Sequence, residues 1–142
     1  MFESIYTAEV TVSEGRNGDA ISDDGKLKAQ LAMPDALGGP TDRQGTNPEQ
    51  LFGACFGACL GSTLQAIAKM NEIEVNDLKL ISRVILGRLD QNGFQLKLNI
   101  TIGASAPDKE ALALLAKDSF EVCPYAKAIK GNVEIAWEID DL

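Results

Sequence analysis

Residues 51–68, LFGACFGACLGSTLQAIA, contain no charged side chain. The stretch reads as one apolar helix, and a helix with no charge on any face has to be buried nearly all round. Its start is well specified. Asn47 suits the N-cap, Pro48 suits the first helical position where a missing N–H costs nothing, and Thr46 with Glu49 three residues later resembles a capping box. The helix should run to about Met70. Gly53, Gly57 and Gly61 lower helix propensity by about 1 kcal/mol each relative to alanine. Together with Ala54 and Ala58, however, they let another backbone approach closely, and a second central helix is the expected neighbour.

Around this helix the chain alternates. Residues 4–12, SIYTAEVTV, have the period of two and the β-branched content of a strand, followed by a turn at SEGRNGD. AIS and KLKAQLAM, separated by DDG, make a hairpin. Residues 34–47, PDALGGPTDRQGTN, are a loop dense in Pro, Gly and Asp, and long loops in compact domains are often functional. Two longer strands, residues 77–89 and 93–103, are joined by the hairpin signal DQNG. A second helix follows, with Ser105 as its N-cap and its end near Glu121. The strand NVEIAWEI, residues 132–139, closes the chain. Hairpins in place of regular βαβ units predict an α+β fold with mostly antiparallel sheet, its helices on or between the sheets. At 142 residues one domain, 1–142, is expected.

A net charge of −8 with no run of Lys or Arg would repel phosphate backbones and anionic lipid, so nucleic acid is not an expected partner. MFESIYTAEVTV lacks the pattern of a secretory signal, and no run reaches the ~20 apolar residues of a membrane span. A cytoplasmic protein without a membrane association is expected. In such a compartment three cysteines, an odd number, are either inert core or chemistry. The complete absence of histidine removes Ser-His-Asp and Cys-His arrangements and every His-containing zinc site.

Cys55 and Cys59 lie four positions apart. On a helix that spacing separates Cβ atoms by ~5–6 Å against the ~3.5–4.5 Å of a disulfide. Three thiolates fall short of a closed zinc site, and no metal is expected. The two could simply fill space, as buried cysteines often do. Thiol chemistry would instead need a thiolate near neutral pH, hence a cation to lower a free pKa of ~8.5. Cys59 is too far along the helix for its dipole to act. The candidates are Arg16 in the glycine-rich turn, Arg43 in the long loop, and Arg83 and Arg88 in or near a strand; composition does not choose among them. Cys123, in FEVCPYAKAIKG, falls at a helix C-terminus, where the dipole opposes a thiolate, and suits a partner thiol better than a first nucleophile.

The segments GRNG (15–18), LGG (37–39), GTNPEQLF (45–52), GAC (57–59) and VCPYAKAIKGNVEI (122–135), in this order and spacing, resemble the OsmC/Ohr family of thiol-dependent peroxidases, and within it the organic hydroperoxide resistance subgroup. The resemblance implies an OsmC-like α+β fold, two central helices packed with mostly antiparallel sheets in an intertwined homodimer with active sites at the subunit interface. It makes Cys59 the peroxidatic and Cys123 the resolving cysteine, Arg16 the activating cation and Glu49 the carboxylate that orients it. It further implies an organic hydroperoxide as substrate, a Cys59–Cys123 disulfide, and a dithiol reductant such as a lipoyl group on a carrier protein, with no bound cofactor. Leu51, Phe52, Phe56 and Leu60 would supply apolar walls near the thiol, or else pack as plain core. Two positions depart from the family pattern: Cys55, where a small residue is usual, and Ala126, where a serine or asparagine follows CPY. A non-catalytic redox-sensing or ligand-binding protein on the same fold is the alternative function.

Overall fold

The computed structural model describes residues 1–91 and 93–142; the turn expected at DQNG includes Asn92, which lies outside the described residues. Backbone contacts gather into two compact units, Met1–Leu51 and Phe52–Leu142.

The first unit holds a three-stranded antiparallel sheet in the order β1 (Val10–Val12), β2 (Asp19–Ser22), β3 (Lys28–Gln30). The DDG turn works as its composition predicts, with Gly25 in the left-handed region and its N–H donating to the Ser22 carbonyl. The strand expected over residues 4–12 shrinks to β1. Alternation marks residues that can pair, but the backbone of residues 1–9 is assigned to no strand in this chain, and Phe2, Ile5 and Tyr6 are exposed.

Helix α1 (Pro48–Met70) opens in the first unit and continues through the second. Its cap differs by one residue from the expected box. The Gln50 N–H donates to Asn47 Oδ1 at 2.9 Å, and the Thr46 hydroxyl donates to Gln50 Oε1 at 2.7 Å, so Gln50 takes the place expected for Glu49.

In the second unit β4 (Asn76–Leu89), β5 (Gly93–Ser105) and β6 (Glu134–Ile139) form one sheet in that order, antiparallel between β4 and β5 and parallel between β5 and β6. Phe56, Leu60, Leu64 and Ala68 of α1, Leu98, Ile100 and Ile102 of β5, and Leu112, Leu115 and Ala116 of α2 (Lys109–Val122) make its core. Phe120 of α2 stacks on Trp137 of β6 with ring centroids 5.6 Å apart. Because β5 runs on to Ser105, that residue is not free to cap α2; Asp108 does so, accepting from the Ala111 N–H at 2.7 Å. A short helix, α3 (Pro124–Ile129), follows α2 and was not expected from the sequence.

The expectation for the glycines is corrected: a sheet, not a second helix, approaches them. A Cβ on Gly53 would stand 3.3 Å from Val84 Cγ2, one on Gly57 3.0 Å from Ser82 Oγ, and one on Gly61 3.2 Å from Leu80 Cδ1. Ala54, Ala58, Ser62 and Ala66, on the opposite side, are exposed, so in the single chain α1 buries one face and not its whole circumference. By length and composition α1 is apolar enough to cross a membrane, against the expectation that no run would be. Its Gly, Ser and Thr residues break a strictly apolar run while adding little polarity.

Among the described residues, Ser82 Oγ is buried without a hydrogen-bond partner, directly under Gly57. An unsatisfied buried hydroxyl destabilises, so Ser82→Ala should be neutral or stabilising by ~1 kcal/mol in urea unfolding at fixed protein concentration. Gly57→Ala gains helix propensity but meets that hydroxyl. It should be destabilising or neutral alone and stabilising in the Ser82→Ala background, and simple additivity of the two changes would contradict the contact.

Candidate active site

The candidate polar residues, Arg16 and Glu49, lie within the first unit. After β1 the chain enters a tight turn. Glu14 (φ 49°) and Gly15 (φ 54°) are left-handed, Gly15–Asn17 form one 3-10 turn, and a Cβ on Gly18 would sit 1.8 Å from the Ser13 carbonyl oxygen, so only glycine fits there. This turn presents Arg16. Its Nη1 and Nη2 donate to Glu49 Oε2 and Oε1 at 2.8 and 2.6 Å, a bidentate pair between residues 33 positions apart in the chain. The Arg16 hydrogen bonds hold the Glu49 carboxyl below its usual range, and Glu49 in turn raises Arg16 further above its already high value. Glu49 lies in the first turn of α1, where a carboxylate is also favoured by the helix N-terminus.

The other three arginines have their own partners. Arg43 donates to the carbonyls of Leu31 and Gly18, Arg83 donates to the Thr101 hydroxyl at 3.0 Å, and Arg88 lies over the Phe94 ring, 5.4 Å from its centroid. Of the four candidates, Arg16 is the one engaged with a carboxylate through both nitrogens.

The thiols belong to the second unit. Cys59, partly exposed on α1, and Cys123, fully buried, bring their sulfurs to 3.5 Å, the Cys123 thiol donating, although 64 residues separate them. Cys123 is the C-cap of α2, its N–H donating to the Ser119 carbonyl at 2.8 Å, and it is also the residue from which α3 starts. The expected helix C-terminus is therefore also a helix N-terminus. Pro124 at the first position of α3 is the signal that could have shown it. Burial pushes the Cys59 thiol above the ordinary thiol range, the adjoining Cys123 sulfur adds to that push, and the backbone N–H of Tyr125 in α3 pulls it down. The Tyr125 N–H is thus a contributor to the site that side-chain reading missed. Cys55, one turn before Cys59, donates to the Phe52 carbonyl at 3.2 Å and is also raised, chiefly by burial.

Of the four apolar residues flanking the thiol in the sequence, Phe56 and Leu60 are fully buried in the core, whereas Leu51 and Phe52 are only partly buried. Ala126 is likewise buried in the core cluster. Among the described residues no group of three His, Cys, Asp or Glu side chains could hold a metal ion.

The family model of OsmC-like proteins matches residues 39–138. The chain belongs to the OsmC/Ohr family. An organic hydroperoxide resistance protein of Xanthomonas axonopodis pv. citri is 36% identical over 132 residues, 92% of each chain. The organic hydroperoxide resistance protein OhrB of Bacillus subtilis is 36% identical over 137 residues, 96% of this chain and 98% of the relative. The crystal structure of an organic hydroperoxide resistance protein from Legionella pneumophila superposes with a TM-score of 0.91 at 35% identity, covering 97% of this chain and 99% of that one. These relatives lie in the organic hydroperoxide resistance branch of the family, and the α+β architecture expected for it is the one observed.

Two predictions come from this geometry. A mild dithiol oxidant should close Cys59 to Cys123, since only ~1.5 Å separates the observed contact from a ~2.05 Å bond. Intact-mass spectrometry should show loss of two hydrogens in wild type and in Cys55→Ser, and no intramolecular loss in Cys59→Ser or Cys123→Ser. The second concerns acid. Glu49 is held below its unfolded value of about 4.3, so its pairing stabilises above that pH and is lost as pH falls through the lower folded value. The stability advantage of wild type over Glu49→Gln should therefore be constant near neutrality and vanish at strongly acidic pH in a melting series; an advantage independent of pH would contradict the ion pair.

Proposed function

We propose that the chain reduces organic hydroperoxides, alkyl or fatty-acid, to alcohols by thiol chemistry. The 3.5 Å contact between Cys59 and Cys123 carries this reading. It supports a cycle in which one sulfur is oxidised and a second stands within reach to resolve it. The family's motifs assign the first role to Cys59, partly exposed, and the second to Cys123, buried.

The Cys59 thiolate attacks the outer oxygen of the O–O bond, the alkoxide leaves and takes a proton to become the alcohol, and a sulfenic acid remains on Cys59. The Cys123 thiol then condenses with it, forming the disulfide and releasing water. A small dithiol, such as a lipoyl group on a carrier protein, attacks this disulfide and leaves as its own cyclic disulfide, returning both protein thiols. No bound cofactor enters these steps.

Around Cys59 its own unit mostly favours the thiol, so attack at neutral pH calls for a positive charge. Arg16 supplies it in this proposal, with Glu49 holding the guanidinium in one orientation. Leu51 and Phe52, which keep some exposed surface, receive the hydrocarbon part of the substrate; Phe56 and Leu60 support them from the core. The exposed Ala54, Ala58, Ser62 and Ala66 face of α1 and the exposed apolar side chains of residues 1–9 favour a homodimer. Reduced thiols as the resting state suit a cytoplasmic location.

Steady-state turnover of an alkyl hydroperoxide with dihydrolipoamide tests the cycle. Wild type and Cys55→Ser should turn over, whereas Cys59→Ser should lose essentially all activity and Cys123→Ser should consume about one equivalent and stall in sulfenic acid. Activity that survives Cys59→Ser would sink the assignment. A disulfide that forms without turnover would instead favour the redox-sensing alternative. Arg16→Ala should raise the pH midpoint of Cys59 alkylation toward or above the free-thiol value of ~8.5.

A further inference from the structure

We infer that Arg43, in the long loop before α1, is a positioning residue for Arg16. This deepens the reading of Arg16 as the cation that activates Cys59 and rests on it. The Arg43 Nε–H donates to the Leu31 carbonyl at 2.8 Å, and its Nη2–H donates to the Gly18 carbonyl at 3.3 Å. These two carbonyls belong to the two segments whose relative placement sets Arg16. Gly18 is the buried residue that closes the Arg16 turn and Leu31 follows β3, its own N–H donating to the same Gly18 oxygen at 2.8 Å.

The loop that carries Arg43 is pinned to the same place. The Thr46 N–H donates to the Gln30 carbonyl at 2.9 Å and the Ala32 N–H to the Thr46 carbonyl at 2.8 Å, a parallel bridge immediately before the α1 cap. A Cβ on Gly45 would stand 2.6 Å from the Gln30 oxygen, so the loop is pressed directly against the end of β3. From the other side, Asn17 Oδ1 accepts the Met33 N–H at 3.2 Å. Arg43 therefore fastens the turn bearing Arg16 to the segment leading into Glu49, and both ends of the Arg16–Glu49 pair are fixed by the same clasp. A planar guanidinium that reaches two carbonyls at once does what the single ammonium of lysine cannot fully reproduce.

The experiment uses the full chain and four variants: Arg43→Ala, Arg43→Lys, Arg16→Ala and the double Arg16→Ala/Arg43→Ala. The readouts are the pH profile of Cys59 alkylation by iodoacetamide, located by peptide mass spectrometry, and kcat/KM for an alkyl hydroperoxide. Arg43→Ala should shift the alkylation midpoint upward, in the direction of Arg16→Ala, and lower kcat/KM on the order of tenfold, with Arg43→Lys between it and wild type. In the Arg16→Ala background, removing Arg43 should add nothing, because a residue acting through Arg16 has nothing left to position. Effects that multiply would show that Arg43 acts by its own charge, and an unchanged alkylation profile with a lowered melting temperature would show a merely structural role; either overturns the inference. Should Arg43→Ala fail to fold, Arg43→Lys carries the same comparison, and a wild-type profile in it is equally fatal. Failure of the underlying reading is separately visible, since Arg16→Ala alone would then leave the profile unmoved.

Discussion

The burial of one face of α1 is the constraint on which the second unit depends. Phe56, Leu60, Leu64 and Ala68 fill the space against β5 and α2, while Gly53, Gly57 and Gly61 let β4 come within van der Waals contact of the helix. Close packing of a core fixes both the rotation and the axial position of a helix within it. Cys59 lies on the flank of the buried face, and so the packing that excludes water from the core also determines where its sulfur points. Cys123 is held by the α2–α3 junction, itself anchored through Leu112, Leu115, Ala116 and Ala126. The sulfur–sulfur contact is a consequence of hydrophobic packing on both sides, without any covalent restraint.

That packing has an electrostatic consequence. A thiol in a partly buried, apolar setting favours its neutral form, and a second sulfur beside it reinforces the preference. The backbone N–H of Tyr125 opposes this, but it is one dipole against burial and two neighbouring sulfurs, Cys123 and Cys55. Chemistry at Cys59 near neutral pH therefore asks for a full positive charge. Within the first unit, the bidentate Arg16–Glu49 pair holds a full positive charge in a defined orientation. The carboxylate offsets part of the guanidinium field while removing its rotational freedom, which exchanges strength for direction.

Much of this was legible in the sequence wherever a local rule has one physical solution. Pro48 behind Asn47 started α1 where expected, because a missing N–H and a side-chain oxygen acceptor are both useful only at a helix N-terminus. DDG gave the β2–β3 hairpin, and alternation gave β4 and β5 to within two residues at their ends. Failures came where the outcome depends on a partner. Residues 4–12 have strand periodicity, but strand pairing covers Val10–Val12, with the Glu9 carbonyl accepting one further N–H from Asp23. Ser105 is a competent cap, yet the strand pairing of β5 claims it first. The charge-free α1 looked buried on all sides because sequence records hydrophobicity and not which face a neighbour occupies.

What the sequence by itself determined is the inventory: a capped apolar helix with Cys55 and Cys59, a glycine-shaped turn with Arg16, a Cys-Pro junction, no histidine, and motifs whose order indicates a family. These follow from local sterics, hydrogen-bonding capacity and residue type, which act over a few neighbouring residues. The motifs implied the Arg16–Glu49 and Cys59–Cys123 pairings, and the tertiary structure decided their geometry. Residue type could not say which of four arginines takes a carboxylate, that Glu49 leaves the capping role to Gln50, or that the sulfur beside Cys59 is Cys123. Those depend on contacts spanning 33 and 64 residues, and it is the packing of α1 on its sheet and the clasping of the Arg16 turn that bring such distant groups within hydrogen-bonding distance.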